Sequence, residues 1–166
     1  MKKLETKSYV IYSLIVIIGI VLDQITKWLA ATYLKKVPTV PIIEDVLHLT
    51  YVENRGAAFG ILSEHRWVFI TISSIAIIAI GAYVFLGFAQ KKLYAISLTV
   101  ILSGGIGNMI DRIFLGYVID FIDFRLINFA VFNGADSFVC VGAGLLILAL
   151  ILDIINEYKK AKADKK

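Results

Sequence analysis

The chain has 166 residues, of which 59% are hydrophobic and only 18% are charged. A composition this apolar excludes an ordinary soluble domain. The formal net charge of +4 could indicate a nucleic-acid partner, but most of the basic residues cluster at the termini and in one short loop. We therefore predict that the chain binds no nucleic acid.

Four stretches are long and apolar enough to cross a bilayer, which takes about 20 residues per helix. They cover residues 9–32, 67–88, 93–110 and 137–155. The first stretch begins like a secretory signal, but Asp23 and Lys27 lie where a cleavage region would be small and neutral, so we interpret it as a retained span. The sequence predicts an all-α polytopic membrane protein, a single membrane domain over residues 1–166.

The lysines indicate how these spans are oriented. They precede the first span, separate the second from the third, and follow the fourth: Lys2, Lys3, Lys7, Lys91, Lys92, Lys159, Lys160, Lys162, Lys165 and Lys166. By the positive-inside rule, both termini are cytoplasmic. Residues 35–66 and 114–136 then form two extracytoplasmic segments.

The extracytoplasmic segments contain short stretches rich in β-branched and aromatic residues. We predict a strand over residues 46–53, a turn at residues 54–56 and a short surface helix over residues 57–62, and we find strand character at residues 116–121 and 129–132. Pro38 and Pro41 break any helix at the start of the first segment. A small extracytoplasmic β-sheet is expected.

Several polar residues are predicted to lie at one membrane level. Asp23 lies fifteen residues past Ser8, about 22 Å along a helix, and Asn108 lies equally far along a span that runs the same way. Asp111 and Arg112 end the third span. Charged groups at such depths face a cavity or a partner, which makes each a candidate for a functional site.

Asp23 and Lys27 are spaced i, i+4, so they share one helix face and can form an ion pair. We favour a structural role for that pair, which would tie the first span to the others. Cys140, the single cysteine, is interpreted as a small core hydrophobe.

Asp120 and Asp136 lie close to the outer end of the spans, on separate stretches of chain. Two carboxylates beside a membrane cavity can share one proton and activate a water molecule between them. Asp136 could instead cap the fourth span. Asp123 could replace either partner, although we expect it to face water or the lipid edge.

Five ordered motifs surround these residues: Asp23-Gln-Ile-Thr-Lys27, Asn54-Arg-Gly-Ala-Ala-Phe-Gly60, Gly104-Gly-Ile-Gly-Asn-Met-Ile-Asp-Arg112, Val118-Ile-Asp-Phe121 and Phe132-Asn-Gly-Ala-Asp-Ser137. Together they resemble the bacterial lipoprotein signal peptidases, also called signal peptidase II, and the likeness covers the whole chain. It implies a membrane aspartyl endopeptidase, without metal or cofactor, that cuts a prolipoprotein just before its diacylglyceryl-modified cysteine.

The resemblance also implies roles for individual residues. Asp120 and Asp136 take the positions of the catalytic pair. Substrate-binding positions fall on Asn54, Gly56, Asn108, Arg112 and Asn133, and supporting positions on Asp23, Lys27 and Asp111. The expected partners are the lipid-modified prolipoprotein and membrane lipids, with the active site toward the outer face of the bacterial cell membrane.

Three other functions remain open on residue patterns alone. A small transporter also places charges on several spans, but it favours acids near the midplane and broken helices. A metalloprotease is disfavoured because the two histidines, His48 and His65, stand apart and are expected on the surface. A serine peptidase would need Ser103 or Ser137 as nucleophile and Lys27 as base.

Overall fold

Four long helices dominate the fold. The computed structural model describes residues 5–56 and 66–164. The helices are α1 (Thr6–Tyr33), α2 (Arg66–Phe85), α3 (Lys92–Phe114) and α4 (Gly134–Ala163). All four are long and apolar enough to cross a membrane, and their outward side chains are mostly large and apolar, such as Ile17, Ile78 and Ile147. The described residues therefore contain the four long apolar helices that the sequence predicted.

The helix ends differ from the predicted spans for local reasons. Helix α2 ends at Phe85, before Gly87, whose φ of 82° is unfavourable for residues with a Cβ. Helix α3 continues through Asp111 and Arg112 to Phe114. Helix α4 starts at Gly134 because a capping box formed by Asn133 and Asp136 satisfies its first N–H groups, and it runs on to Ala163.

The predicted small sheet is present, with three antiparallel strands in the order β1-β2-β3. Strand β1 covers Val40–Ile43, β2 covers Leu47–Asn54 and β3 covers Val118–Phe124. Strand β2 is shifted in register between Leu49 and Val52, after which Val52 lies opposite Asp120. This register places the end of β2, with Asn54, beside the start of β3.

Two details of the predicted sheet were wrong. Strand β1 was not predicted, since the prolines there were taken only as helix breakers; as an edge strand, β1 tolerates Pro41. Residues 129–132 form no strand, and only Phe132 makes a single bridge, to Ile122. A 3-10 helix, Arg125–Ile127, precedes that stretch. The surface helix predicted at residues 57–62 lies outside the described residues.

Glycines bring α3 and α4 close together. A Cβ added at Gly142 would lie 2.8 Å from the backbone oxygen of Ser97, and one at Gly104 would collide with the backbone oxygen of Ala135. Such backbone approach is how helices associate in a bilayer, where small residues form the interface. The close approach places the end of α3 beside the start of α4.

Candidate active site

Asp120 lies on β3, two residues from its start, and is 2% exposed. Its Oδ1 accepts a hydrogen bond from Asn133 Nδ2 at 2.6 Å, and its Oδ2 accepts one from Asn54 Nδ2 at 2.9 Å. Burial raises the pKa of Asp120 to about 6, and the charge of Asp136 adds to the rise; the asparagine hydrogen bonds and Lys27 oppose it. A group with this pKa can hold a proton near neutral pH.

Asp136 lies in the first turn of α4, where it belongs to the capping box. Its Oδ1 accepts a hydrogen bond from Asn108 Nδ2 at 2.7 Å, and its Oδ2 accepts one from Asn133 N at 3.2 Å. The capping role proposed from the sequence is therefore present. It leaves the carboxyl group on the cavity wall, so capping and chemistry are compatible.

Three asparagines direct their amide N–H groups at the two acids, and each amide orientation is fixed by a donor on its oxygen. Lys27 Nζ donates to Asn108 Oδ1 at 2.8 Å, Asp136 N donates to Asn133 Oδ1 at 3.0 Å, and Gly56 N donates to Asn54 Oδ1 at 3.0 Å. Neither an ammonium nor a backbone N–H can accept a hydrogen bond. Each amide must therefore turn its NH₂ group toward a carboxylate.

Lys27 is 1% exposed and lies at the centre of a buried group that we call the Lys27 cluster: Asp23, Lys27, Asn108 and Asp111. Its Nζ is 2.9 Å from Asp23 Oδ2 and 3.0 Å from Asp111 Oδ2, in addition to the bond to Asn108. A buried ammonium with three acceptors is fully satisfied. The predicted ion pair between Asp23 and Lys27 is present within α1, and the contacts of Lys27 with Asp111 and Asn108 tie α1 to α3.

The two carboxylates of the Lys27 cluster hold the backbone beside the two candidate catalytic acids. Asp23 Oδ1 accepts a hydrogen bond from Ala135 N at 2.8 Å, one residue before Asp136. Asp111 Oδ2 accepts one from Ile119 N at 3.1 Å, one residue before Asp120. The Lys27 ammonium thus contacts both carboxylates that hold the backbone next to Asp120 and Asp136.

Both acids line one cavity of about 550 Å³, a volume typical of small-molecule sites. The other lining residues are Asn54, Asn108, Arg112, Val118, Phe129, Ala130, Val131, Phe132, Ser137, Cys140 and Val141. Phe129 is 52% exposed and Val141 is 57% exposed. The cavity therefore reaches the apolar outer surface of the helix bundle at this wall.

Arg112 places a guanidinium on the cavity wall. Its Nη1 lies 3.4 Å from Asn108 O and its Nη2 lies 3.5 Å from Gly56 O, both long for hydrogen bonds. The guanidinium also lies over the ring of Phe69, 5.7 Å from its centroid. Its N–H donors are thus available to a carbonyl oxygen in the cavity.

Asp123 does not belong to the acid pair and does not face water freely. Its side chain is 13% exposed and accepts hydrogen bonds from Thr50 Oγ1 at 2.7 Å and Arg125 Nε at 2.9 Å. Burial raises the pKa of Asp123, but these two hydrogen bonds and the charge of Arg125 outweigh burial and hold it below its usual value. The predicted exposure to water is therefore only partly met, because Asp123 is half-buried, and its placement at a lipid edge stays a prediction.

Two further sequence interpretations need correction. His48, expected on the surface, is 7% exposed and lies opposite Asp123 in the sheet; His65 lies outside the described residues. Cys140, expected in the core, is exposed and lines the cavity. Its position one turn after Asp136 on α4 could have indicated this, because i and i+4 share a helix face.

The serine peptidase has little support among the described residues. All three Nζ contacts of Lys27 go to Asp23, Asp111 and Asn108, which leaves no contact with a serine. The hydroxyl of Ser103 donates to Val100 O, and that of Ser137 donates to Asn133 O. Neither hydroxyl is bonded to a base.

Comparison with known proteins supplies the family. Residues 15–152 match the family model described as signal peptidase (SPase) II. The chain belongs to the signal peptidase II family. A lipoprotein signal peptidase of Halalkalibacterium halodurans is 43% identical over 157 residues, covering 93% of this chain and 98% of that protein. One from Caldanaerobacter subterraneus is 51% identical over 134 residues, covering 80% and 91%.

Solved structures agree with the signal peptidase II assignment. A bacterial membrane enzyme determined by the in meso method at 2.3 Å resolution superposes with a TM-score of 0.80 at 35% identity, covering 87% of this chain and 90% of the other. A second, at 1.9 Å resolution, gives a TM-score of 0.75 at 35% identity, covering 84% and 91%. As a signal peptidase II, the chain is a membrane peptidase.

Proposed function

We propose that this signal peptidase II removes the signal peptide from prolipoproteins, cutting just N-terminal to a cysteine that already carries a diacylglyceryl group. The relatives named lipoprotein signal peptidases support the substrate class. The observation that carries the chemistry is a pair of carboxylates, Asp120 and Asp136, lining one cavity and each oriented by asparagine N–H donors.

In this mechanism the acid pair holds one proton and a water molecule between its carboxyl groups. The unprotonated carboxylate takes a proton from the water, whose oxygen attacks the scissile carbonyl carbon. The protonated acid donates its proton to the carbonyl oxygen, which gives a gem-diol intermediate. The acid that took the water proton passes it to the leaving nitrogen as the C–N bond breaks, and the other acid takes a proton from the gem-diol as the new carboxyl group forms, so the pair again holds one proton. Because burial raises the pKa of Asp120, we assign the resting proton to Asp120, within a pair whose titration is shared.

The neighbouring side chains hold the acids and the substrate. Asn54, Asn108 and Asn133 orient the two carboxylates through their fixed amide groups. The guanidinium of Arg112 is placed to bind a substrate backbone carbonyl. Gly56 fixes the Asn54 amide and lies against Arg112.

The apolar cavity wall at Phe129 and Val141 suits a substrate that arrives from within the bilayer. A diacylglyceryl substrate could keep its acyl chains in hydrocarbon while the scissile bond enters the polar part of the cavity. Withdrawing such chains into water would cost about 0.8 kcal/mol per CH₂ group. With both termini cytoplasmic, as the lysines predict, the acids and the sheet lie at the outer face of the cell membrane.

A small transporter is the alternative function. It predicts a substrate site near the bilayer midplane, built from interrupted helices. Here the acids lie on β3 and in the first turn of α4, at the ends of the spans, and the family match favours a peptidase.

The decisive experiment measures cleavage of a synthetic diacylglyceryl prolipoprotein peptide by purified protein in detergent. Asp120→Asn and Asp136→Asn should each lower kcat by about 10²–10⁴-fold, the range attributed to general acid–base groups. Asp123→Asn, the matched change on the same strand, should retain most activity because Asp123 lies outside the cavity lining. Equal loss in all three variants, or activity in either of the first two, would refute the assignment.

The same cleavage assay with a metal chelator tests whether the reaction needs a metal ion. The acid pair activates water without a Lewis acid, so EDTA should leave the rate unchanged. Inhibition that is reversed by adding a divalent metal would contradict the aspartyl mechanism.

A further inference from the structure

A second polar site lies at the opposite end of the bundle from the acid pair. Helices α1 and α3 run parallel, because Tyr12 and Ala95 belong to one buried cluster near their starts and Lys27 bonds to Asn108 near their ends. Both helices therefore begin at the same level. Glu5, which precedes α1, is eighteen residues from Asp23, about 27 Å along the helix axis.

A cavity of about 220 Å³ lies between these two helix starts. Its polar lining is Glu5, Lys7, Ser8, Tyr12 and Lys92, and Ile11 and Ile96 form its apolar lining. Two ammonium groups against one carboxylate give the lining a net positive charge. Neither lysine forms an ion pair with any described residue, so both charges are available to a bound anion.

Tyr12 indicates that this cavity is built for a polar ligand. The residue is only 4% exposed and lines the cavity, yet its hydroxyl makes no hydrogen bond with any described residue. Among the described residues His48 Nε2 is the only fully enclosed side-chain atom without a hydrogen-bond partner, so the Tyr12 hydroxyl is accessible from the cavity and has no protein partner there. A ligand atom in the cavity would supply the missing one.

The backbone favours an anion at the same place. Neither Glu5 nor Lys91, the residues that precede α1 and α3, caps its helix with a side chain. Ser8 N and Ala95 N bond to the backbone oxygens of Glu5 and Lys91, so the positive ends of the two helix dipoles, with no side-chain cap, are what favour an anion here. Phosphate oxygens are typical ligands of such helix starts.

We propose that this cavity binds the phosphate headgroup of an anionic phospholipid from the leaflet opposite the acid pair. The phosphate contacts Lys7, Lys92 and the Tyr12 hydroxyl, and an acyl chain follows Ile11, which is 41% exposed on the flank of the bundle. Basic pockets between transmembrane helices at the cytoplasmic side are known lipid-headgroup sites. The apolar flank favours a lipid over free phosphate.

Native mass spectrometry of the full chain in neutral detergent tests the proposal by counting bound lipids. The probes are dioleoyl phosphatidylglycerol and, as the neutral control, dioleoyl phosphatidylcholine. Phosphatidylglycerol should bind more tightly, and Lys7→Gln with Lys92→Gln should weaken it by about five-fold per lysine, with no effect on phosphatidylcholine. Tyr12→Phe should weaken it without a change of charge.

The matched control is Lys159→Gln with Lys160→Gln, which removes the same charge from the far end of α4 and should change phosphatidylglycerol binding by less than about two-fold. Equal binding of the two lipids, or equal losses in the lysine and control variants, would overturn the proposal. Inorganic phosphate that competes as well as phosphatidylglycerol would identify a free-phosphate site and overturn the lipid assignment. If the double lysine variant fails to fold, an unchanged Tyr12→Phe variant decides against the site.

Discussion

At the scale of single residues, Asn133 links the two acids. Its side-chain NH₂ donates to Asp120, its side-chain oxygen accepts from Asp136 N, and its own backbone N–H donates to the Asp136 carboxylate. Asn133 is completely buried, so these bonds do not compete with water. The relative placement of the two carboxyl groups therefore depends on one asparagine and on the helix start that it caps.

The raised pKa of Asp120 predicts a pH dependence of stability. The pKa of Asp120 is about 6 in the folded protein, and an aspartate in an unfolded chain has a pKa close to 4. The folded protein therefore binds more protons between these values. The contribution of Asp120 to stability decreases as pH rises from about 4 to about 6. Asp120→Asn has no such titration. The Tm of Asp120→Asn minus the Tm of the wild type, both measured in detergent, should therefore increase as pH rises over this range. A pH-independent difference, or a decrease, would contradict the raised pKa.

Lys27→Met should destabilise the protein and reduce activity together. It removes the ammonium but leaves the buried carboxylates of Asp23 and Asp111, and breaking a buried pair in this way costs about 3–5 kcal/mol. It also releases the Asn108 amide that donates to Asp136. Thermal unfolding and peptide cleavage measure the two effects.

Lys35→Met is the matched control for Lys27→Met. Lys35 pairs with Glu53 at 3.0 Å, but its side chain is 54% exposed, and exposed pairs contribute only about 0–1 kcal/mol. Its Tm and activity should remain near those of the wild type. Similar losses in both variants would mean that burial of the Lys27 cluster is not the cause.

At the scale of helices and strands, the interface of α3 and α4 can be tested with two glycines on α4. Gly142→Ala places a methyl group against the backbone of Ser97 and Ile101, whereas no described residue lies within 4 Å of a Cβ at Gly144. Gly142→Ala should cost about 1–3 kcal/mol through overpacking. It should also lower kcat, because Asn108 on α3 bonds to Asp136 on α4.

Gly144→Ala should be neutral or more stable by up to about 1 kcal/mol, since alanine is the better helix former. Thermal unfolding of both variants measures the difference. If Gly144→Ala were as damaging as Gly142→Ala, close packing of α3 against α4 would not explain the loss.

The sequence predicted elements best where one physical requirement dominates. Hydropathy alone located the four helices, because a span must be apolar over its length. Strand β1 was missed because Pro41 is acceptable only at a sheet edge, and edge position depends on which strands pair. Residues 129–132 have strand composition but pair only through Phe132, since tertiary context decides β-structure.

At the scale of the whole molecule, the open cavity wall makes Cys140 a reporter of substrate access. Its side chain is exposed and lies on the cavity wall with Asp136. N-ethylmaleimide, which crosses membranes, should alkylate Cys140 and reduce cleavage by adding bulk to the cavity wall. Cys140→Ser should cleave the peptide and should not be inhibited by N-ethylmaleimide. Mass spectrometry confirms the single modification. Full activity of the alkylated wild type would argue against substrate passage along this wall.

The sequence predicted which residues form the candidate site, but not the hydrogen bonds and contacts that join them. The motifs identified the two acids, three asparagines and Arg112, all of which the fold brings together. The sequence did not reveal that Asp23 and Asp111 hold the backbone next to each acid, nor that Cys140 forms part of the wall. Those facts depend on distances between elements far apart in the chain.

The pairing of Asp23 with Lys27 has a consequence for biogenesis. The two residues share a face of α1, so this helix can leave the translocation machinery with its buried charges already neutralised. Asp111 has no basic partner from α3 in the Lys27 cluster, and it meets the Lys27 ammonium only when α3 packs against α1. Insertion of α1 should therefore come before the packing of α3, and the Lys27 side chain is the group that sets this order.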